Sequence, residues 1–77
     1  MASKTDAELK RAFGEAVREF RTARGLSQER LAELAGIHRT YLGDVERGSR
    51  NIALVNMHRI SAALGVPLSS LIAQMEG

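Results

Sequence analysis

"LSQERLAELAGIHRTYLGDVERGSRN", residues 26–51, contains two short amphipathic segments separated by a glycine. The first segment runs from Gln28 to Ala35 with apolar residues at helical spacing, and Ser27 before it belongs to the residue types that cap helix N-termini. Gly36 permits a tight turn, and the second segment runs from about Arg39 to Arg47. Two short helices joined by a glycine-containing turn form a helix-turn-helix.

The spacing within this stretch has a steric reason at each position. Ala32 follows Gln28 by four residues, where a small side chain lets two helices approach closely, and Gly36 follows Gln28 by eight. Three apolar residues would anchor the second segment to a core: Ile37 in the turn before it, and Leu42 and Val45 within it. A bare helical hairpin does not require the small residue and the glycine at these offsets, so the spacing favours a helix-turn-helix.

Outward from this motif, the chain predicts only helices. A period-3.6 apolar stripe predicts a first helix from about Asp6 to Ala23, with a glycine at position 25 to end it. A fourth helix is expected between the loop Gly48–Asn51 and Leu64, and Pro67 suits the first turn of a fifth. The predicted fold class is therefore all-α: a compact five-helix domain in which helices 2 and 3 form the helix-turn-helix.

Length and composition indicate one small domain. The 77 residues are predicted to form a single domain over residues 6–77, with residues 1–5 disordered. The absence of cysteine excludes a disulfide framework and a thiolate metal site. The N-terminus lacks the layout of a secretory signal, and no apolar run approaches transmembrane length. We therefore expect a cytoplasmic protein without a membrane partner.

The sequence indicates neither an enzyme nor a metal protein. His38 and His58 lie twenty residues apart with no carboxylate or thiol partner at ligand spacing, so no metal or other cofactor is predicted. Ser27 has no histidine and acid that would activate it as a nucleophile, and a role as a helix cap is favoured. No small-molecule ligand is expected either.

Positive charge gathers around the second helix of the motif. The net charge is only +2, but residues 38–59 contain four arginines and two histidines against Asp44 and Glu46. Arginine is preferred over lysine where phosphate or guanine is bound through two parallel hydrogen bonds. This distribution favours a negatively charged partner such as double-stranded DNA.

A known family shares these features. Residues 26–66, "LSQERLAELAGIHRTYLGDVERGSRNIALVNMHRISAALGV", resemble the phage Cro and lambda-repressor-like helix-turn-helix family, often called the Xre family, and "AVREFRTARG" in the first helix also matches. Within that family, "HRTYLGDVERGSRNI" in a protein this short is similar to the controller proteins of restriction–modification systems. The resemblance implies a small dimeric regulator that binds its own promoter region.

The resemblance also implies a set of DNA contacts. In such proteins the second helix of the motif enters the major groove with its N-terminal residues facing base edges. Arg39 would bind guanine, a contact that contributes roughly 1–3 kcal/mol of discrimination. Thr40 would place its hydroxyl against a base edge or its methyl group against thymine. Gln28 would donate to a phosphate. The full implied set is Gln28, His38, Arg39, Thr40, Tyr41, Gly43, Asp44, Arg47, Arg50, Asn51 and Asn56.

Two acidic residues in this region need separate interpretations. Asp44 would either accept from cytosine N4 or restrain a neighbouring arginine, Arg47 or Arg39. Glu46 is predicted to be structural, because a carboxylate facing phosphates is repelled, and the resemblance implies its pairing with a first-helix arginine such as Arg18.

Two positions depart from the family pattern. His38 opens the second helix of the motif, where Ser, Thr or Asp would cap better, and Ala53 stands where the family often has a capping Ser. Asn51 would then either cap the fourth helix or contact DNA.

We expect a sequence-specific transcriptional regulator that binds a pseudo-palindromic operator as a homodimer, with half-sites about 10 bp apart or a multiple of that. The end of the chain would supply the dimer surface, through Val55, Val66, Leu68, Leu71, Ile72 and Met75. The alternatives are an antitoxin or phage-type repressor of the same fold, and a helix-turn-helix used only for protein–protein contact.

Overall fold

The computed structural model describes residues 4–77, and within them the chain forms five α-helices and no strand. No helix in this range has the length and apolar content to cross a membrane. The predicted all-α architecture is confirmed. The helices are α1 (Asp6–Ala23), α2 (Gln28–Ala35), α3 (Arg39–Arg47), α4 (Leu54–Leu64) and α5 (Leu68–Glu76).

A capping box begins α1. The Thr5 hydroxyl accepts from the Glu8 backbone N–H at 3.2 Å, and the Glu8 carboxylate accepts from the Thr5 backbone N–H at 2.8 Å. The Thr5 backbone N–H, followed by its hydroxyl, lowers the pKa of Glu8, so the box is firmest above the ordinary glutamate range and loosens as the pH falls through the lowered pKa. Thr5 is therefore fixed, although residues 1–5 were predicted to be disordered; residues 1–3 lie outside the described residues.

The core lies where α1 packs against α3 and α5, and α2 against α3 and α4. Its most completely buried apolar side chains are Val17, Leu31, Leu42, Ile60 and Leu71. Leu71 corrects one prediction: it was assigned to a dimer surface, but its exposure is 0 %, so a single chain already buries it. The other predicted residues of α5 and the turn before it are half-buried against the core: Val66, Leu68, Ile72 and Met75.

A glycine sets the distance between α1 and α3. A Cβ atom on Gly14 would lie 2.3 Å from the carbonyl oxygen of Val45 and 2.7 Å from that of Glu46. No side chain fits there, so the two helix backbones touch directly. This contact fixes the depth at which α3 sits on the rest of the molecule.

Two more glycines close the turns on either side of α3. Gly36 (φ +70°) ends α2 and Gly48 (φ +77°) ends α3, both in the left-handed region that L side chains rarely adopt. A Cβ atom on Gly48 would also lie 2.8 Å from the Cα atom of Arg11. Both ends of α3 are thus held by backbone geometry that only glycine provides without strain.

Candidate nucleic-acid interface

The start of α3 is exposed and has no side-chain cap. His38 occupies the N-cap position with no side-chain hydrogen bond to the helix, and Arg39 and Thr40 beside it are exposed. The first backbone N–H groups of an α-helix have no partner within the helix, and they carry the positive end of the helix dipole. Free donors and two exposed side chains therefore project from one end of α3.

Arg39 is held loosely by an acidic residue of α2. Its Nη1 atom lies 3.4 Å from Oε2 of Glu29, and both side chains are about two-thirds or more exposed, at 67 % and 76 %. An exposed ion pair of this kind contributes about 0–1 kcal/mol, so Arg39 exchanges partners easily. Of the two arginines that Asp44 was expected to restrain, Arg47 or Arg39, Arg39 is instead paired with Glu29.

Gly43 lies beneath two polar side chains. A Cβ atom there would lie 3.3 Å from Nη1 of Arg47 and 3.7 Å from Oε1 of Gln28. Gly43 was predicted to face DNA, but it is buried, and the side chains of Gln28 and Arg47 form the exposed surface above it. Because Gly43 has no side chain, the side chains of Gln28 and Arg47 can lie close to the backbone of α3.

Glu46 joins three helices below this surface. Its Oε2 atom accepts from Nε of Arg21 at 2.7 Å, and its Oε1 atom accepts from Nη2 of Arg21 and from Nε2 of Gln28, both at 2.9 Å. The third Arg21 contact is donated by Nη1 to the Leu26 carbonyl oxygen at 2.8 Å. The Glu46 side chain is only 3 % exposed. The predicted pairing with a first-helix arginine is correct, but the partner is Arg21 and not Arg18.

This network positions Gln28, the first residue of α2. One amide hydrogen goes to Glu46, and an amide group has two. Gln28 therefore combines a fixed position with a second donor that is free to bind a ligand.

Asp44 binds two arginines at once. Its Oδ1 atom accepts from Nη2 of Arg47, and its Oδ2 atom lies 3.3 Å from Nε of Arg50. The Asp44 side chain is 22 % exposed, against 65 % and 51 % for the two arginines. Restraint of an arginine was one of the two predicted roles, and the structure adds Arg50 as a second arginine held by this carboxylate.

Tyr41 links the end of this surface to α4. Its hydroxyl accepts from Nδ2 of Asn56 at 3.2 Å, and the guanidinium carbon of Arg50 lies 5.0 Å from the centre of its ring. Arg50 is thus held by a carboxylate on one side and an aromatic face on the other. Asn51 follows it as an exposed residue, and the N-cap of α4 is Ala53 with no side-chain hydrogen bond. The predicted alternative in which Asn51 caps α4 is wrong.

These contacts bring most of the predicted site residues onto one surface, which we call the α3 face. Glu29 was not predicted to belong to this surface. The sequence could have indicated it, because it is an acidic residue at the start of α2 and directly follows Gln28. The α3 face consists of Gln28, Glu29, His38, Arg39, Thr40, Tyr41, Asp44, Arg47, Arg50, Asn51 and Asn56.

An apolar surface lies at the start of α4. Val55 is 62 % exposed and Leu54, which was not predicted, is 67 % exposed. Among residues 4–77 there is no group of three or more His, Asp and Glu side chains able to hold a metal ion.

Comparison with known proteins places this geometry in a family. The sequence profile of the HTH_3 family, described as helix-turn-helix, matches residues 17–71 and so includes α2, α3 and the start of α5. This chain belongs to the helix-turn-helix family. The predicted resemblance is thereby confirmed.

The relatives within the helix-turn-helix family include control proteins. The Control protein C.BamHI of Bacillus amyloliquefaciens is 48% identical over 61 residues, which cover 78% of this chain and 75% of that protein. The restriction-modification controller protein C.AhdI from Aeromonas hydrophila has a similar crystal structure, with a TM-score of 0.79 and 51% identity over 84% of this chain and 97% of that one. SinR, a master regulator for biofilm formation solved in complex with DNA, gives a TM-score of 0.74 and 31% identity over 78% of this chain and 97% of its own.

Proposed function

We propose that this protein is a sequence-specific DNA-binding transcriptional regulator, the controller protein of a restriction–modification system, which binds a pseudo-palindromic operator as a homodimer. The observation that carries the proposal is the uncapped, exposed start of α3, where Arg39 and Thr40 project beside Gln28. The kinship with control proteins and with a DNA-bound regulator supports it.

In this proposal α3 is the recognition helix and enters the major groove. Arg39 leaves Glu29 and donates two parallel hydrogen bonds to O6 and N7 of a guanine, and Thr40 contacts the neighbouring base. His38 lies at the groove edge. The free backbone N–H groups at the start of α3 face the negative potential of the duplex.

Phosphate contacts flank the recognition helix on both sides. On one side Gln28 uses its second amide hydrogen, while Glu46 holds the first. On the other side Arg50 lies against the ring of Tyr41, next to the exposed Asn51. Phosphate contacts fix the register of the protein on DNA, and base contacts then specify the sequence.

A dimer completes the proposal because one recognition helix covers only one half-site. Two-fold related recognition helices match half-sites about 10 bp apart, or a multiple of that. The exposed Leu54 and Val55 of α4 are the apolar residues that we assign to the interface, together with the half-buried residues Val66, Leu68, Ile72 and Met75.

Salt titration of DNA binding tests the proposal. Affinity for a mixed-sequence duplex should fall steeply between about 50 and about 200 mM salt, because each phosphate contact releases bound cations. An affinity independent of salt would contradict the proposal and favour a protein–protein module.

Three arginine variants separate base contacts from phosphate contacts. Arg39→Ala should relax sequence preference by about 1–3 kcal/mol at one base position of a duplex selected from a random library. Arg50→Ala should weaken binding to all duplexes alike and reduce the salt slope by about one. Arg24→Ala is the matched control, since Arg24 is exposed, lies over Phe20 and lines a shallow cleft with Glu19 and Gln74. If Arg39→Ala and Arg50→Ala lose affinity equally on every sequence, the assignment of Arg39 to bases is wrong.

The controller role is tested in the genome. A methyltransferase gene and an endonuclease gene next to this one, with the selected binding site upstream of it, are the expected findings. A neighbouring toxin gene, with a toxin that co-purifies with this chain, would point to an antitoxin instead.

A further inference from the structure

The α3 face carries less net positive charge than its arginines suggest. Arg47 and Arg50 share the carboxylate of Asp44, and Arg39 pairs with Glu29. Three guanidinium groups thus face two carboxylates. Of the two, Asp44 holds its partners more firmly, because its side chain is 22 % exposed against 76 % for Glu29 and because it binds two arginines.

Resting on the DNA-binding function proposed above, we propose that Asp44 is a specificity-determining residue that suppresses binding to DNA of the wrong sequence. It does so by occupying Arg47 and Arg50, so that the protein meets random duplex with about one positive charge fewer at this edge. Non-specific binding consists almost entirely of arginine and lysine contacts to phosphates, and the Asp44 carboxylate competes with those phosphates for the same guanidinium groups.

The same carboxylate costs little at the correct site. At the operator, hydrogen bonds to base edges add affinity for which the Asp44 carboxylate does not compete, whereas on random sequence the phosphate contacts supply nearly all of the affinity. Asp44 also holds Arg50 at the edge of α3, where the ring of Tyr41 supports its other side. A positioned arginine loses less conformational entropy on binding. Asp44 therefore lowers affinity for random sequence more than affinity for the operator.

Asp44→Asn tests this role, because it removes the charge and keeps the size of the side chain. Binding is measured by fluorescence anisotropy at several salt concentrations, on the strongest duplex recovered from a random library and on a scrambled duplex of the same length. Glu15→Gln is the matched control: it changes the net charge equally, and Glu15 lies among residues of α1 and α5, near Ala12, Glu19 and Gln74.

The expected result is a gain in affinity for the scrambled duplex. Asp44→Asn should bind the scrambled duplex roughly three- to tenfold more tightly at low salt, with a salt slope steeper by about one, and should gain less on the selected duplex. Glu15→Gln should change either affinity by less than about twofold, because its charge is distant and screened. Circular dichroism confirms that both variants are folded.

Three results would overturn the proposed role of Asp44. Unchanged affinity of Asp44→Asn for the scrambled duplex overturns it while salt-dependent binding by the unmodified protein keeps the DNA-binding function. A loss of affinity on the selected duplex alone overturns it in favour of a cytosine contact by Asp44. Failure of the unmodified protein to bind any duplex overturns the DNA-binding function and the role of Asp44 together.

Discussion

Among single residues, Glu46 connects the α3 face to two other helices. It lies on α3, binds Arg21 of α1 through two hydrogen bonds, and holds Gln28 at the start of α2. A buried carboxylate is stabilising only when its partners satisfy it. The described residues contain no buried side-chain nitrogen or oxygen atom without a hydrogen-bond partner, so this condition is met.

We predict that Glu46→Gln lowers the free energy of unfolding by about 3–5 kcal/mol, because it leaves the Arg21 guanidinium largely buried without a counter-charge. Urea denaturation followed by circular dichroism measures the loss. Glu33→Gln is the control: Glu33 pairs with Arg30 at an exposed position, where about 0–1 kcal/mol is expected. Equal losses in the two variants would show that the Glu46 network is not a buried ion pair in solution.

The partner of Glu46 marks the limit of sequence-based reasoning at this scale. That Glu46 is structural follows from its position on a helix otherwise suited to DNA. Arg18 and Arg21 lie three residues apart on α1, so both are near the same helix face. The choice between them depends on where α1 and α3 cross. That crossing is set by Gly14, whose contact with Val45 is not encoded in any local pattern.

At the scale of helices, two glycines that both lie inside helices have different roles. Gly14 and Gly43 both lie inside helices, where glycine costs up to about 1 kcal/mol relative to alanine. Gly14 meets backbone atoms of α3, whereas Gly43 meets the movable ends of Gln28 and Arg47. Gly14 is needed for the close packing of α1 on α3, whereas Gly43 leaves room for the side chains of Gln28 and Arg47 on the α3 face.

We predict that Gly14→Ala lowers the free energy of unfolding by about 1–3 kcal/mol or more, because the added methyl would lie 2.3 Å from the Val45 carbonyl oxygen. Gly43→Ala should leave stability unchanged or raise it by up to about 1 kcal/mol, and should weaken DNA binding. Thermal unfolding compares the two variants. A gain in stability for Gly14→Ala, as helix propensity alone predicts, would contradict the close contact between α1 and α3.

The start of α4 offers a stabilising substitution. Ala53 has the extended conformation of an N-cap residue (φ −75°, ψ 151°) but makes no cap hydrogen bond. We predict that Ala53→Ser raises the free energy of unfolding by about 1 kcal/mol and that Ser27→Ala, which removes the bond to the Arg30 N–H, lowers it by a similar amount. Chemical denaturation of both variants checks the pair. A shift of the same sign in both would refute the role given to the caps.

At the scale of the whole molecule, the exposed apolar residues at the start of α4 support the proposed dimer. Leu54 and Val55 are 67 % and 62 % exposed in a chain whose core is otherwise closed. Composition predicted an excess of apolar residues near the end of the chain, but a count of residues cannot tell which of them one core absorbs. Leu71 is buried in the core of the single chain, and Leu54 remains exposed.

We predict that Val55→Asp prevents formation of the proposed dimer while changing the stability of the single chain by no more than about 0.5 kcal/mol, because Val55 is exposed in the single chain. Sedimentation equilibrium over a range of concentrations measures the change. Leu34→Asp is the control, since Leu34 is 47 % exposed on α2, outside the proposed interface. A dimer that survives Val55→Asp, or dissociates with Leu34→Asp, would move the interface elsewhere.

The fold was predictable from the sequence to a larger extent than the surface. The caps and glycines predicted the bounds of α1, α2 and α3, because these signals act within a few residues. The pairing of Asp44 with Arg47 is an i,i+3 contact within α3, whereas its second pairing, with Arg50, depends on how the loop after α3 folds back. Such a contact depends on the three-dimensional positions of the residues, and no periodic pattern in the sequence indicates it.

The exposed start of α3 has a consequence for how such proteins diversify. His38, Arg39 and Thr40 take no part in the core and cap nothing, whereas the position of α3 is secured from below by Gly14 and Glu46. The three residues can therefore be exchanged without disturbing the contacts that hold α3 in place. A library of chains that differ only at these three positions should unfold at nearly one temperature and yet select different operators, so new specificities can arise or be engineered without any repair of the scaffold.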